Sequence, residues 1–256
     1  MGVKPILILG AMTSEVQVLL HAMKQEETFS MGSFLFWKGT LRDTPVVLGQ
    51  TGIGTASAAA ATALGCEVFR PQLVVNEGTA GAYTKDLHPY DIVIGTSYYN
   101  ADAIHTSLKG KTLYLDLVAL ENSGKEAEYT DAEPFWRKTD DTWATWLFAQ
   151  KRLYNRGKVV KGRIASGDQW NAYPEKIEEL ARKTGALCEE MECAAVGEIA
   201  RRYDIPYLPV RIISNNNRLQ EAFDGETAIA LQEWLAALFA KRDLPILTKL
   251  SRNLKK

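Results

Sequence analysis

The chain has 256 residues, 46% hydrophobic and 24% charged, with a formal net charge of −1. That length suits one large domain with a sizeable core, and the near-neutral balance excludes a nucleic-acid binder relying on an electrostatic footprint. The three cysteines (Cys66, Cys188, Cys193) and three histidines (His21, His88, His105) show neither CxxC nor metal-ligand spacing, which implies no metal site and a reducing, cytoplasmic setting.

"MGVKPILILGAM" carries one lysine and a short apolar run that leads into polar Thr13-Ser14-Glu15. It reads as a first core strand, Pro5–Leu9, rather than a signal peptide, and no apolar run approaches the ~20 residues of a membrane span. "SEVQVLLHAMK" follows as a helix with Val16, Leu19, Leu20 and Met23 on one face. "SFLFWKG" and "TPVVLGQ" form an expected hairpin pair, "TASAAAATALG" a helix, and "PQLVVNEG" and "YDIVIGTSYY" two strands. After a polar stretch come a helix in "DTWATWLFAQKRLY" and a strand in "GKVVKGRIAS". "YPEKIEELARKTG" has a proline near its start and Gly185 at its end, the asymmetry expected of a helix. A strand in "ALCEEM", a helix in "ECAAVGEIARRYD", a strand in "PYLPVRIIS" and a last helix through "ETAIALQEWLAALFAKR" complete the order.

This alternation predicts a mostly parallel or mixed sheet with helices on both faces. Ala103–Asp140 departs from it: polar, without a long period and carrying Gly110, Gly124 and Pro134, it reads as an inserted excursion, a lid or part of a subunit contact. The basic tail "LTKLSRNLKK", residues 247–256, reads as a frayed, solvated end. Gly52, Gly54 and Ser57 in "GQTGIGTASA" imitate a dinucleotide fingerprint. A lone match of this kind reads better as a tight strand-to-helix turn beside a ligand cleft, so no cofactor is implied.

Six motifs occur in order: "ILGAMTSEV", "TGIG", "NEGTAGAY", "ASGDQW", "EEMECAA" and "VRIISN". Together they resemble the bacterial methylthioadenosine/S-adenosylhomocysteine nucleosidases, within the purine nucleoside phosphorylase superfamily. The resemblance runs from about Ile6 to Asn215, with the excursion longer than its counterpart. It implies a single domain over 1–256, with a three-layer αβα fold around a central mixed, partly barrel-like sheet. It also implies a homodimer acting on a purine nucleoside and water, without metal or organic cofactor.

Breaking a purine N-glycosidic bond passes through a ribosyl cation-like transition state. The site must therefore stabilise positive charge on the sugar, improve the leaving base and supply a nucleophile. By the resemblance, Glu15 orients and deprotonates the attacking water, although an acidic residue in a helix's first turn is also favoured by the macrodipole. Glu192 matches the glutamate that accepts both ribose hydroxyls, a task suited to an ionised carboxylate; helix capping is its alternative reading. Met12 and Met191 match positions that cushion the sugar and its 5′ substituent. Trp170, where the family has phenylalanine, would stack on the purine, with main-chain groups around Gln169–Asn171 reading its edge. Thr79 stands where serine is usual, and Ile53, Glu190 and Ser214 complete the expected substrate contacts. Arg211 is expected to anchor carboxylates behind the site. Glu77 is a charge where the family commonly has a neutral residue.

The strand that ends in Ser214-Asn215 departs from the family at its last residue, where an aspartic acid protonates purine N7. An amide cannot be a general acid near neutral pH, a step typically worth ~10²–10⁴-fold. An adenine nucleoside would then need another proton source, such as water, Glu221 or Asp224. Alternatively, Asn215 offers its NH₂ to a 6-oxo group while its carbonyl accepts from a protonated N7, as in relatives that prefer 6-oxopurines, the futalosine hydrolases and trimeric phosphorylases among them. Asn216 and Asn217 are readable as the turn alone. Three readings stand at this point: a nucleosidase of the resembled type; a 6-oxopurine nucleosidase or a phosphorylase; and a binding or storage relative that has lost turnover.

Overall fold

The computed structural model describes residues 3–123 and 129–239. The basic tail expected at 247–256 lies outside the described residues. The apolar run near the start forms β1 (Ile6–Gly10), buried along its whole length, and leads into α1 (Thr13–Ala22). Three antiparallel-paired strands follow: β2 (Lys24–Met31), β3 (Phe34–Leu41) and β4 (Thr44–Gln50). The expected helix through Lys24 stops at Ala22, and β2 was not legible. It is a polar, exposed strand at the edge of the sheet, held by main-chain pairing to β3 alone, so no apolar alternation marks it.

Next come α2 (Thr55–Phe69), β5 (Leu73–Ala82) and β6 (Ile92–Asn100). Residues of the polar excursion form a separate small sheet, β7 (Ile104–Thr106), β8 (Thr112–Leu115) and β9 (Tyr129–Thr130), with the short helix α3 (Leu117–Ser123). The excursion then adds β10 (Arg137–Lys138) to the edge of β6. The chain continues through α4 (Asp141–Ala149), β11 (Val159–Ser166), α5 (Pro174–Thr184), β12 (Cys188–Glu190), α6 (Cys193–Arg202), β13 (Tyr207–Asn215) and α7 (Thr227–Phe239). Helix α5 has Pro174 in its first turn and Gly185 in the left-handed conformation at its C-cap, as read from the sequence.

The sheet is mixed and closes on itself in part. β6 pairs with β11, β11 with β12, β12 with β5, β5 with β13, and β13 returns to β6. From this ring β1, β4, β3 and β2 extend outward beyond β5. On one side α1, α4 and α7 pack through Leu19, Trp143, Leu147, Trp234 and Leu238; on the other, α2 and α6 pack through Ala58, Ala61, Val196 and Ala200. This is the layered αβα architecture with a partly barrel-like sheet. β13 is buried at all nine positions, and each of Leu208, Val210, Ile212 and Ile213 contributes about 1.5–3 kcal/mol through its burial. The strand that ends in the asparagine run is therefore a rigid central element. No helix among the described residues is long and apolar enough to cross a membrane.

Candidate active site

A cavity of about 330 Å³ opens where β1, β5, β12 and β13 end. Glu15 and Asn215 border it, as do Met12, Ile53, Thr79, Gln169, Trp170, Asn171, Glu190, Met191, Glu192 and Ser214. Motifs far apart in sequence thus meet at one site. Glu189, Phe223 and the Ala80-Gly81 backbone also border it and were not singled out from the sequence.

Glu15 occupies the first turn of α1 and is 3% exposed. Its Oε2 accepts from the amides of Ala11 (3.0 Å) and Met12 (3.2 Å). Its Oε1 accepts from the Thr79 amide (2.8 Å) and hydroxyl (3.0 Å). Four donors suit a fully ionised carboxylate. The acid that the macrodipole favours in the first turn of α1 thus also closes the capping box of the helix and borders the cavity.

Glu192 is the N-cap residue of α6, yet its side chain does not cap the helix. Oε1 accepts instead from the amide of Gly54 at 2.9 Å, across the cavity wall. Gly54 has φ 91°, a left-handed conformation, and a Cβ there would stand 2.9 Å from Asp168 Oδ1. Asp168 takes that space to accept from the Thr55 amide and hydroxyl, both at 2.7 Å, at the start of α2. The glycine-rich stretch is thus a turn that brings a donor to Glu192, as its turn reading implied. Burial, and then the negative charge of Glu190, push the Glu192 carboxyl up to about 8.

Glu190 borders the cavity, and its side chain is buried beside Arg211. It accepts from Arg211 Nε at 3.1 Å and from the amides of Glu192 and Cys193 at the start of α6. The capping role considered for Glu192 belongs to Glu190, whose carboxylate is also anchored by Arg211. Arg211 is 1% exposed and spends every guanidinium hydrogen on Glu190, Asn76 and the Val210 carbonyl. Its charge holds the Glu190 carboxyl below the usual range against the opposing effect of burial.

At the other end of the cavity, Gly81 of β5 lies in register with Glu189 on one side and Asn215 on the other. A register shift at the end of β13 precedes Asn215, a local irregularity of the kind that re-aims a side chain. Ser214 Oγ lies 2.9 Å from Asn215 Oδ1, and Asn215 Nδ2 donates to Asn217 Oδ1 at 3.4 Å. Asn217 Nδ2 in turn donates to the carbonyl of Asn171 at 3.3 Å. Asn216 is fully buried and structural, donating to the Thr84 and Leu87 carbonyls. The three asparagines therefore divide their tasks: one lines the cavity, one braces it and one pins the turn.

The Gln169–Asn171 edge differs from expectation. The Asn171 amide, assigned to the base, donates to Glu189 Oε1 at 2.9 Å, and Glu189 Oε2 accepts from Tyr83 at 2.8 Å. A carboxylate thus occupies the position where a bare main-chain donor was expected. Burial pushes the Glu189 carboxyl up, while its Asn171 and Tyr83 donors pull it down. Gln169 donates to Asp102 at 2.7 Å, tying this edge to the start of the excursion. Trp170 is 70% exposed at the mouth, its ring centroid 6.3 Å from that of Phe223. Neither Glu221 nor Asp224, the substitute acids considered from sequence, borders the cavity. Glu221 pairs with His88 at 2.8 Å, and Asp224 accepts from Tyr90 at 3.0 Å.

Among the described residues no arginine or lysine borders the cavity, and no cluster of side chains could hold a metal. The cysteines are buried and unpaired, and burial pushes the Cys66 thiol up to about 12.

Comparison with known proteins places the chain in a family. The model of the phosphorylase superfamily matches residues 5–243, and the chain belongs to that superfamily. It is 32% identical over 231 residues to the 5′-methylthioadenosine/S-adenosylhomocysteine nucleosidase of Aeromonas salmonicida (strain A449), covering 88% of this chain and 93% of that one. Identity to the enzyme of the same name from Bacillus cereus (strain B4264) is 30% over 211 residues, covering 82% and 85%. A crystal structure of that nucleosidase from Neisseria meningitidis, in complex with methylthio-immucillin-A, superposes with a TM-score of 0.75 at 25% identity, covering 93% and 99%.

Proposed function

We propose that this chain is a purine nucleoside N-ribohydrolase of the methylthioadenosine/S-adenosylhomocysteine nucleosidase type, releasing free purine and a 5′-substituted ribose. The observation that carries the reading is Glu15, held by four donors on the wall of a cavity that Glu192 and Asn215 also border. Glu15 takes a proton from water, the water oxygen bonds to the sugar C1′, and the C1′–N9 bond breaks with its electron pair leaving on the purine. The purine gains a proton from solvent water to leave as the neutral base, while Glu15 returns its proton to solvent. Glu192, ionised, accepts from the ribose hydroxyls and stabilises the developing cation. Met12, Met191 and Ile53 enclose the sugar and its 5′ group, and Trp170 covers the base. Water is favoured over phosphate as the nucleophile because acidic groups line the cavity and no arginine or lysine borders it among the described residues. A phosphate dianion would meet repulsion without a counter-charge.

A second reading, a 6-oxopurine nucleosidase, is favoured by Asn215 specifically. An amide offers a donor to O6 and an acceptor to a protonated N7, whereas it cannot supply the proton that an adenine leaving group needs. The enzyme is read as a cytoplasmic homodimer, and the exposed Ile53, Trp170 and Phe223 at the mouth supply apolar surface that a second subunit would cover.

The test is incubation with methylthioadenosine, S-adenosylhomocysteine, inosine and futalosine, with and without phosphate, identifying the released base. Adenine released without phosphate is the expected result, and hypoxanthine alone selects the second reading. Phosphate dependence would refute hydrolysis, and nucleoside binding without turnover would favour a storage relative.

A further inference from the structure

Glu77 lies on β5, two residues before the Thr79 that holds Glu15, and is 1% exposed. Both of its carboxyl oxygens are buried without a hydrogen-bond partner. It does not border the cavity but sits behind it, against the end of β1, where a Cβ on Gly10 would approach Glu77 Oε1 to 2.9 Å. A glycine at that point makes room for a carboxyl that nothing in the hydrogen-bonding of the fold requires.

Two charged groups face Glu77: Glu15 from α1 and Arg211 from β13. Arg211 supplies positive charge but no donor, because its hydrogens are committed to Glu190, Asn76 and Val210. Glu15 has four donors and Glu77 has none. Two neighbouring buried carboxyls do not both ionise, and the charge settles where the donors are. With Glu77 charged, three buried carboxylates (Glu15, Glu77 and Glu190) would face one guanidinium.

We propose that Glu77 is the proton-bearing member of a carboxyl pair with Glu15, a positioning residue that fills the space behind the base and confines the negative charge to Glu15. The proposal rests on reading Glu15 as the catalytic base. Burial first, and then the charge of Glu15, push the Glu77 carboxyl well above the usual range while Arg211 opposes them, which agrees with the donor count. A glutamine at this position would preserve shape and neutrality, whereas an alanine would open a void behind the base.

Two measurements test this. The infrared difference spectrum at pH 7, wild type minus Glu77→Gln, should show a protonated-carboxyl C=O band, the contributions of Glu189 and Glu192 being common to both proteins and cancelling. With methylthioadenosine, Glu77→Ala should lower kcat by about tenfold or more, and Glu77→Gln should recover most of that loss, the scale expected of a misplaced catalytic group. Absence of the band from the difference spectrum, or a glutamine variant as impaired as the alanine one, overturns the proposal. Should the wild type hydrolyse no nucleoside, the nucleosidase reading fails, while the infrared comparison still decides where the proton resides.

Discussion

Glu192→Gln should make the folded protein increasingly more stable than the wild type as pH rises, while impairing catalysis. Glu192 is 8% exposed, receives one hydrogen bond from the Gly54 amide and has the charge of Glu190 beside it. Its carboxyl is pushed from an ordinary 4.5 up to about 8 in the folded protein. The sign follows from proton counting: between these values the folded protein keeps a proton that the unfolded chain releases. Stability contributed by the neutral form is complete below about pH 4 and is lost as pH rises towards 8. At about 1.4 kcal/mol per pH unit, the wild type has given up on the order of 4 kcal/mol by pH 8. Glutamine keeps the shape and an acceptor for Gly54 but does not titrate. Urea unfolding of both proteins at pH 5, 6, 7 and 8 should therefore give a stability difference with a slope of about 1.4 kcal/mol per unit in favour of the variant. In parallel, wild-type kcat/KM should rise about tenfold per unit up to pH 8 as Glu192 ionises in the free enzyme, and the variant should lack that rise. A stability difference that does not change with pH would refute the reasoning.

Glu15→Gln should lower kcat by about 10²-fold or more with KM little changed; because the amide NH₂ cannot accept from both sets of donors, a stability loss of about 1–3 kcal/mol should accompany it in denaturation curves. Asn215→Asp should raise kcat/KM on methylthioadenosine by about 10²-fold by supplying a proton donor and should lower it on inosine, with product analysis by chromatography as the readout; a fall on both substrates would contradict the role given to the amide. Arg211→Met strands the buried Glu190 and should cost about 3–5 kcal/mol, whereas pairing it with Glu190→Leu should recover much of that loss, measured as Tm and urea midpoint.

The alternation of β1, β5, β11 and β13 with α1, α2, α5 and α6 was legible because each element carries its own local period, apolar runs for buried strands and a 3.6-residue stripe for helices. The positions bordering the cavity were legible for a different reason: six short ordered motifs carried the family resemblance that named them, and these motifs sit at strand ends and helix starts, where a layered α/β fold collects its loops. β2 was not legible, since a polar edge strand takes its conformation from β3 rather than from its own side chains. The excursion's small sheet escaped notice likewise, because its strands of two to four residues are too short to show a period.

Within the site, the residue types at Glu15, Glu192, Trp170 and Asn215 are properties of the chain alone, and they constrain the chemistry before any folding is considered. Tertiary structure decided which carboxylate meets which donor. Glu190 and Glu192 are two residues apart, yet one is consumed by Arg211 and the other accepts from the Gly54 amide. Glu189 reaches Tyr83 only because β12 lies beside β5, and Glu77 stands behind Glu15 only because β5 lies beside β1. Periodicity reports how a side chain is directed relative to its own backbone. Charge state and hydrogen bonding depend on groups brought near by strand pairing, and those distances are set by the assembled sheet.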